Sequence, residues 1–184
     1  MIIVGSPAPV FTADAIVNGQ IGTVSLKQFL GKFVLLFFYP GDFSHACPSE
    51  LQGLQRHLAD FQARDVEILA VSVDSHYTHQ AWLQMPVTKG GVEGSTITLI
   101  SDMNQRIARA YGVLNESTGT ALRASFVIDR AGITQYGSAN LERFARSIDE
   151  LLRVVDAIQY SEKHGVHCLV NWRPGDSQTP PRSA

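Results

Sequence analysis

The chain of 184 residues has almost no net charge, no long apolar run and little cysteine. Its formal charge of −2 gives no reason to expect nucleic acid or an anionic membrane as a partner. No apolar stretch approaches the roughly 20 residues that a membrane span requires. The N-terminal segment lacks the basic region and the apolar core of a signal peptide, so we expect a cytoplasmic location.

Cysteine occurs at two positions, Cys47 and Cys168, and a Cys-x-x-Cys pair is absent. Such sparse usage in a cytosolic chain favours catalytic, redox or metal-binding roles over a structural disulfide framework. Without a Cys-x-x-Cys pair, dithiol chemistry cannot be local to one turn of the chain. A second sulfur for such chemistry has to come from Cys168.

The most informative local pattern surrounds Cys47. The run Phe33–Tyr39 is apolar and aromatic throughout, which is typical of a strand buried on both faces. After a short polar turn, apolar residues between positions 51 and 61 recur at helical spacing and predict an amphipathic helix. Two starts are open: Ser44 caps this helix, or Cys47 caps it with Pro48 at the first helical position.

Either start places the sulfur of Cys47 at the positive end of the helix dipole, beside unpaired amides. That environment favours the thiolate, which is the nucleophilic form of cysteine. The competing interpretation is a buried cysteine that acts as a small apolar side chain. The polar turn before the helix favours the reactive interpretation.

Further predicted strands and helices alternate along the chain. The strands are predicted at Val66–Val73, Ile97–Ile100, Leu122–Ile128 and Ile133–Tyr136, and the helices at Met103–Tyr111 and Leu141–Tyr160. Asp129–Gly132 is a strong hairpin signal between the last two strands. The alternation predicts an α/β fold with a mixed central β-sheet flanked by helices.

A cysteine at the strand-to-helix turn of such a sheet resembles the arrangement in the thioredoxin-like fold. We therefore predict one thioredoxin-like domain over residues 1–160. Residues 161–184 are predicted to form a C-terminal tail that carries the second cysteine.

The segment Phe38–Glu50, with the sequence FYPGDFSHACPSE, resembles the active-site turn of the typical two-cysteine peroxiredoxins. That family includes the bacterial alkyl hydroperoxide reductases. Later segments resemble further family motifs in the same order, so the likeness covers nearly the whole chain: Ser75–Trp82, Arg123–Asp129 and Cys168–Gly175. The resemblance implies a thiol-dependent peroxidase that reduces hydrogen peroxide and organic hydroperoxides.

The resemblance also assigns a peroxide pocket to Pro40, Ser44, Cys47 and Arg123. Its roles are physically sensible, because a Cys47 thiolate that attacks a peroxide oxygen becomes a sulfenic acid. Arg123 would hold the sulfur ionised and bind the peroxide oxygens. The Ser44 hydroxyl would donate to the peroxide, and Pro40 would shield the sulfur from water.

Two further charged residues, Glu50 and Arg146, match a family ion pair that steadies the active-site arginine. The alternative is that both are ordinary surface charges. Cys168 matches the resolving cysteine, which in this family attacks the sulfenic acid of the partner subunit. The resemblance thus implies a homodimer with intersubunit Cys47–Cys168 disulfides, which assembles into a ring of dimers. A thioredoxin-like or flavoprotein disulfide reductase would recycle it, and no cofactor or metal is implied.

The chain departs from the family at several positions. Ser44 stands where threonine is more usual, and Gly90–Gly94 only partly matches a motif of peroxide-sensitive members. The tail after Cys168 has no Tyr-Phe pair. In sensitive members, the complete glycine motif and the Tyr-Phe pair together slow the local unfolding that disulfide formation requires. Because this chain lacks the complete set, we expect resistance to overoxidation of Cys47 to sulfinic acid.

Three other functions compete with the peroxidase. His164, His167 and Cys168 have metal-ligand side chains at close spacing, but no second cluster completes a zinc tetrahedron. A holdase chaperone or a redox sensor is compatible with the same fold, whereas the missing Cys-x-x-Cys argues against a thioredoxin-type disulfide carrier. His76 and His79 are predicted to be a surface or capping pair on their helix.

Overall fold

The structure, a computed structural model, describes residues 4–176 of the chain. The chain divides into two compact units, Met1–Arg146 and Ser147–Ala184. The domain boundary predicted after residue 160 stays a prediction. No helix among residues 4–176 is long and apolar enough to span a membrane.

The first unit contains a mixed seven-stranded sheet in the order β2-β1-β5-β4-β3-β8-β9. Its strands are β1 (Thr12–Val17), β2 (Gln20–Ser25), β3 (Phe33–Phe38), β4 (Val66–Ser72), β5 (Thr98–Ser101), β8 (Arg123–Ile128) and β9 (Thr134–Asn140). The short strands β6 (Leu114–Asn115) and β7 (Thr120–Ala121) pair separately. The helices of this unit are α1 (Cys47–Arg56), α2 (Leu58–Gln62), α3 (His76–Gln84) and α4 (Arg106–Ala110). This arrangement confirms the predicted α/β fold class.

Strand β3 lies inside the sheet, between β4 and β8, and every one of its side chains is buried. It runs parallel to β4 and antiparallel to β8, so that Leu36 lies between Leu69 and Phe126. Burial on both faces explains why this strand has no polar residue. Because β3 is paired on both sides, the turn that follows it begins at a fixed position, at the carboxyl end of this strand.

The sequence analysis missed the N-terminal hairpin of β1 and β2. Asn18 and Gly19 form its turn with positive φ angles of 50° and 77°. An Asn-Gly pair between alternating residues is a strong hairpin signal, so the hairpin was predictable. The helix predicted at Met103–Tyr111 begins only at Arg106, since the Asp102 carboxylate accepts from the amides of Ile107 and Ala108 (3.0 and 2.7 Å).

The second unit contains helix α5 (Ile148–His164), and the helix predicted from Leu141 is wrong at its start. Leu141 and Phe144 are more than half exposed and precede the helix. The Ser147 hydroxyl accepts from the Glu150 amide (3.2 Å), which fixes the start of α5. The helix continues past the predicted end at residue 160, and residues 177–184 of the predicted tail lie outside the described residues.

Candidate active site

Cys47 is the first residue of α1 and is completely buried. The cap residue before it is Ala46, and Pro48 follows in the first turn. Both predicted starts of the helix are therefore wrong in detail, because Ser44 makes no capping hydrogen bond and Cys47 lies inside the helix rather than at its cap. The expected consequence holds nevertheless: the sulfur lies at the amino end of a helix, where backbone amides lack intrahelical acceptors.

Arg123 reaches Cys47 because of the sheet topology. Strand β8 is antiparallel to β3, and Ser125 pairs with Phe37 near the end of β3. The first residue of β8, Arg123, consequently lies beside the turn that leads to α1. Its Nη1 donates to Cys47 Sγ at 3.2 Å, and its Nε donates to the backbone carbonyl of Glu142.

Glu50 links two arginines at the base of the site. Glu50 lies one turn after Cys47 on α1, and its Oε2 accepts from Arg123 Nη1 (2.7 Å) and Arg146 Nη2 (2.9 Å). Its Oε1 accepts from the backbone amide and Nε of Arg146 (2.8 and 3.0 Å). The side chains of all three residues are at most 4% exposed, so they are not ordinary surface charges.

Arg146 has further contacts that fix its guanidinium. Its Nη1 donates to the carbonyl of Ala124 (2.6 Å) and to Ser125 Oγ (3.2 Å), both on β8. Its guanidinium carbon lies 3.2 Å from the centre of the Phe37 ring. Arg146 lies in the segment between β9 and α5, and both its backbone amide and its side chain contact Glu50.

The charges of this cluster do not cancel without the sulfur. Two arginines and one glutamate carry one excess positive charge, and a Cys47 thiolate neutralises it. Burial raises the pKa of Glu50, but its contacts with Arg146 and Arg123 outweigh burial and bring the pKa below its usual range. Burial lowers the pKa of Arg123, and the contacts with Cys47 and Glu50 outweigh it, so the net pKa is raised. The cluster therefore places the Cys47 sulfur beside one excess positive charge.

Ser44 and Pro40 belong to the turn between β3 and α1. Pro40 lies two residues after the end of β3 and is buried. The Ser44 Oγ is buried and has no hydrogen-bond partner within residues 4–176. A buried hydroxyl without a partner is costly, so this one is suited to a ligand that supplies the missing bond.

Cys168 lies in the second unit, after α5, and is partly exposed. Its Sγ donates to the carbonyl of Ala157 on α5 at 3.4 Å. Trp172 in the same segment packs against Tyr160 in a tilted arrangement, with ring centres 4.7 Å apart, and its carbonyl accepts from Arg153 (3.1 Å). Cys47 and Cys168 are not joined to each other by a disulfide within this chain.

The prediction for His79 is wrong, whereas His76 is partly exposed at the start of α3. His79 is completely buried, and its Nδ1 lies 2.7 Å from Asp42 Oδ2 in the turn before Cys47. Sequence analysis also missed Asp42 as a partner. The signal was available, because His79 precedes the buried Trp82 by three residues and so shares its face of α3.

The metal-site alternative gains no support from the structure. Between residues 4 and 176, no three His, Cys, Asp or Glu side chains come together as a group that could hold a metal. His164 stacks on Tyr160 with ring centres 4.3 Å apart.

Comparison with known proteins gives consistent results. Residues 4–136 match the AhpC/TSA family. The chain is 43% identical over 179 residues to a thioredoxin peroxidase of Echinococcus granulosus, covering 97% of this chain and 93% of that protein. It is 42% identical to peroxiredoxin-2 of Cricetulus griseus, covering 97% and 90% of the two chains. The crystal structure of the reduced 2-Cys peroxiredoxin of Plasmodium vivax superposes with a TM-score of 0.94 at 45% identity, covering 96% of this chain and 92% of that one.

Proposed function

The chain belongs to the AhpC/TSA family and is a peroxiredoxin, a thiol-dependent peroxidase, and we propose that Cys47 is the residue that attacks the peroxide. One observation carries this assignment: the buried Cys47 sulfur lies 3.2 Å from Arg123 Nη1, within a cluster that has one excess positive charge. The other cysteine, Cys168, is partly exposed and donates to a backbone carbonyl, that of Ala157, at 3.4 Å.

In the first step, the Cys47 thiolate attacks the terminal oxygen of the hydroperoxide. A sulfur–oxygen bond forms and the oxygen–oxygen bond breaks, so the sulfur is oxidised to a sulfenic acid and the peroxide is reduced. The leaving alkoxide or hydroxide takes up a proton and departs as alcohol or water. Arg123 stabilises the negative charge as it moves from sulfur to the leaving oxygen.

Ser44 and Pro40 complete the proposed pocket. The buried Ser44 hydroxyl has no hydrogen-bond partner among residues 4–176, which supports a role as donor to the peroxide oxygens. Pro40, buried at the end of β3, supports the exclusion of water from the sulfur. Glu50 and Arg146 do not touch the peroxide in this proposal, and they orient Arg123 through the contacts described above.

In the second step, we propose that Cys168 of a partner subunit attacks the Cys47 sulfenic acid. A disulfide forms and water leaves, after which a dithiol reductase restores both thiols by exchange. The edge strand β9 supports a homodimer: within the described residues it pairs only with β8, and an unpaired strand edge is a template for a second chain.

The remaining features of the proposed function are a reductant, a larger assembly and a compartment. We propose a thioredoxin-like or flavoprotein disulfide reductase, supported by the relative named thioredoxin peroxidase. A ring of dimers is supported by large apolar side chains that are exposed, Phe43 (48%) in the turn before Cys47 and Tyr77 (67%) on α3. The cytoplasm is proposed because reducing compartments supply dithiol reductases. Resistance to overoxidation is proposed from the sequence departures described above.

A coupled peroxidase assay tests the function directly. The chain is mixed with thioredoxin, thioredoxin reductase and NADPH, and NADPH consumption is followed after addition of hydrogen peroxide. We expect turnover with the natural chain and none with Cys47→Ser. Cys168→Ser serves as the control, since it should oxidise once at Cys47 and fail to turn over. Undiminished turnover in Cys47→Ser would overturn the assignment.

A further inference from the structure

A buried polar network lies beneath the turn that carries Cys47, and the proposed mechanism does not use it. The Asp42 side chain is completely buried; its Oδ1 accepts from the Tyr39 hydroxyl (2.7 Å), and its Oδ2 lies 2.7 Å from His79 Nδ1. The Tyr39 ring also stacks on Trp82 of α3, with centres 5.9 Å apart. The network thus joins the turn to the helix that follows β4.

The hydrogen bonds define how many protons the network holds. His79 Nε2 lies 3.2 Å from the backbone carbonyl of Ile100, which can only accept, so Nε2 carries a proton. The short contact between His79 Nδ1 and Asp42 Oδ2 requires a second proton between those atoms. The pair is therefore neutral as a whole, whichever atom holds that proton, and its burial is consistent with that neutrality.

Asp42 is fixed through its backbone as well. Its amide donates to Asp74 Oδ2 (2.8 Å), and that oxygen also accepts from Ser72 Oγ (2.7 Å) at the end of β4. Immediately after Asp42, Phe43 has a left-handed φ of 55° and a side chain that is 48% exposed. The firmly held part of the turn therefore ends at Asp42, five residues before Cys47.

Resolution by Cys168 requires this segment to move. Disulfide formation brings two Cα atoms within about 7 Å of each other, and a sulfur that is completely buried cannot be approached in place. The segment 43–47 has to leave the pocket, while the residues before it remain attached to the sheet. Asp42 lies at the boundary between the two parts.

We propose that His79 is a positioning residue that, through Asp42, fixes the hinge about which the segment 43–47 unwinds. The proposal rests on the peroxidase function proposed above. A weaker hinge shifts the equilibrium of the reduced chain toward the unwound turn. Because peroxide attack and overoxidation both require the folded pocket, both become slower relative to disulfide formation.

Two substitutions of the same residue separate this role from simple packing. In His79→Asn, the side-chain amide nitrogen lies at the distance of Nδ1 from the backbone and can still reach Asp42. In His79→Gln, the amide nitrogen lies at the distance of Nε2, so it can reach the Ile100 carbonyl and leaves Asp42 without this partner. If His79 only filled space, the smaller asparagine would be the more damaging change.

The first measurement is hydrogen–deuterium exchange of the reduced full-length chain, which requires no catalysis. We expect the amides between residues 43 and 50 to exchange about tenfold faster in His79→Gln than in the natural chain, because a hydrogen bond to a charged or proton-sharing group is lost. His79→Asn should stay closer to the natural chain. Equal exchange in both variants, or faster exchange in His79→Asn, would overturn the proposal.

The second measurement connects the hinge to the reaction. The fraction of Cys47 that becomes sulfinic acid per turnover is determined by mass spectrometry at a fixed hydrogen peroxide concentration. We expect a smaller sulfinic fraction and slower first oxidation in His79→Gln, with His79→Asn near the natural values. An unchanged ratio of sulfinic acid to disulfide in His79→Gln would contradict the hinge role.

Two controls, the natural chain and Tyr39→Phe, separate failure of the hinge proposal from failure of the proposed function or of folding. If the natural chain itself is not oxidised at Cys47, the proposed function fails, whereas the exchange measurement still tests the hinge. If His79→Gln does not fold, Tyr39→Phe removes a different bond to Asp42 and retains the ring. It should accelerate exchange of the same amides in the same direction, and unchanged exchange there would count against the proposal.

Discussion

Replacing Glu50 by glutamine tests the charge cluster at the base of the site. The carboxylate accepts from two guanidinium groups and one backbone amide, and its side chain is only 1% exposed. Glutamine preserves the shape but replaces one oxygen by an amide group that donates. If that amide takes the place of Oε2, it faces Nη1 of Arg123 and Nη2 of Arg146, which are also donors. Two positive charges then remain buried with the Cys47 thiolate as their nearest negative partner.

The expected loss of stability is large. Removing one partner of a buried ion pair costs about 3–5 kcal/mol, because the remaining charge stays buried without compensation. With a urea m value of about 2–3 kcal/mol/M, the midpoint of unfolding should fall by about 1–2.5 M. Such a loss is a substantial part of the roughly 5–15 kcal/mol that stabilises a typical domain.

Urea unfolding followed by circular dichroism measures this loss, and Glu116→Gln is the matched control. Glu116 also makes two contacts with one arginine, Arg109 (3.1 Å each), but both side chains are more than half exposed. Surface pairs contribute little because water screens them, so the control should unfold at the natural midpoint. Equal midpoints for Glu50→Gln and Glu116→Gln would refute the argument that the Glu50 carboxylate stabilises the fold by compensating the buried charges of Arg123 and Arg146.

Three further predictions concern reactivity, acid and packing. Arg123→Lys should slow the oxidation of Cys47, measured by stopped-flow fluorescence, by roughly 10–150-fold, since a hydrogen bond to a charged group is worth about 1.5–3 kcal/mol; an unchanged rate would exclude Arg123 from the reaction. The pKa of Glu50 is depressed in the folded chain, so the ionised carboxylate contributes fully to folding stability above the pKa of the unfolded chain. This contribution is lost as the pH falls through the pKa of the folded chain. In Glu50→Gln, the free energy of unfolding should therefore fall less steeply as the solution is acidified. Gly91→Ala should unfold its loop, because a Cβ there would collide with the Met85 carbonyl, whereas Gly22→Ala meets no atom within 4 Å; equal melting temperatures would show that the loop adapts.

Local patterns were sufficient to predict the central strand, the position of Cys47 and the α/β class. The run Phe33–Tyr39 is unusual enough to specify a doubly buried strand, and the polar turn after it places Cys47 near the amino end of α1, although the predicted cap residues were wrong. The hairpin at Asp129–Gly132 was likewise predictable from its turn chemistry and is confirmed by the pairing of β8 with β9.

Long-range pairing was less accessible to sequence reasoning. The partnership of Asp42 and His79 depends on a turn and a helix that are 37 residues apart, and neither residue reveals its burial in isolation. The start of α5 was also wrong, because Leu141 and Phe144 fit the helical spacing although they lie outside the helix. The chain instead forms a turn there, in which the Phe144 amide donates to the Leu141 carbonyl (3.0 Å), and Arg146 contacts Glu50 after that turn. A local pattern does not show this tertiary contact.

The most direct test of the proposed mechanism is intact mass and non-reducing gel mobility before and after one equivalent of hydrogen peroxide. The natural chain is compared with Cys47→Ser and Cys168→Ser. The account predicts a covalent dimer in the natural chain that is absent from both variants, with sulfenic or sulfinic acid on Cys47 in Cys168→Ser. A natural chain that stays monomeric with an internal disulfide would contradict the intersubunit step. A Cys47 that remains reduced would contradict the central claim.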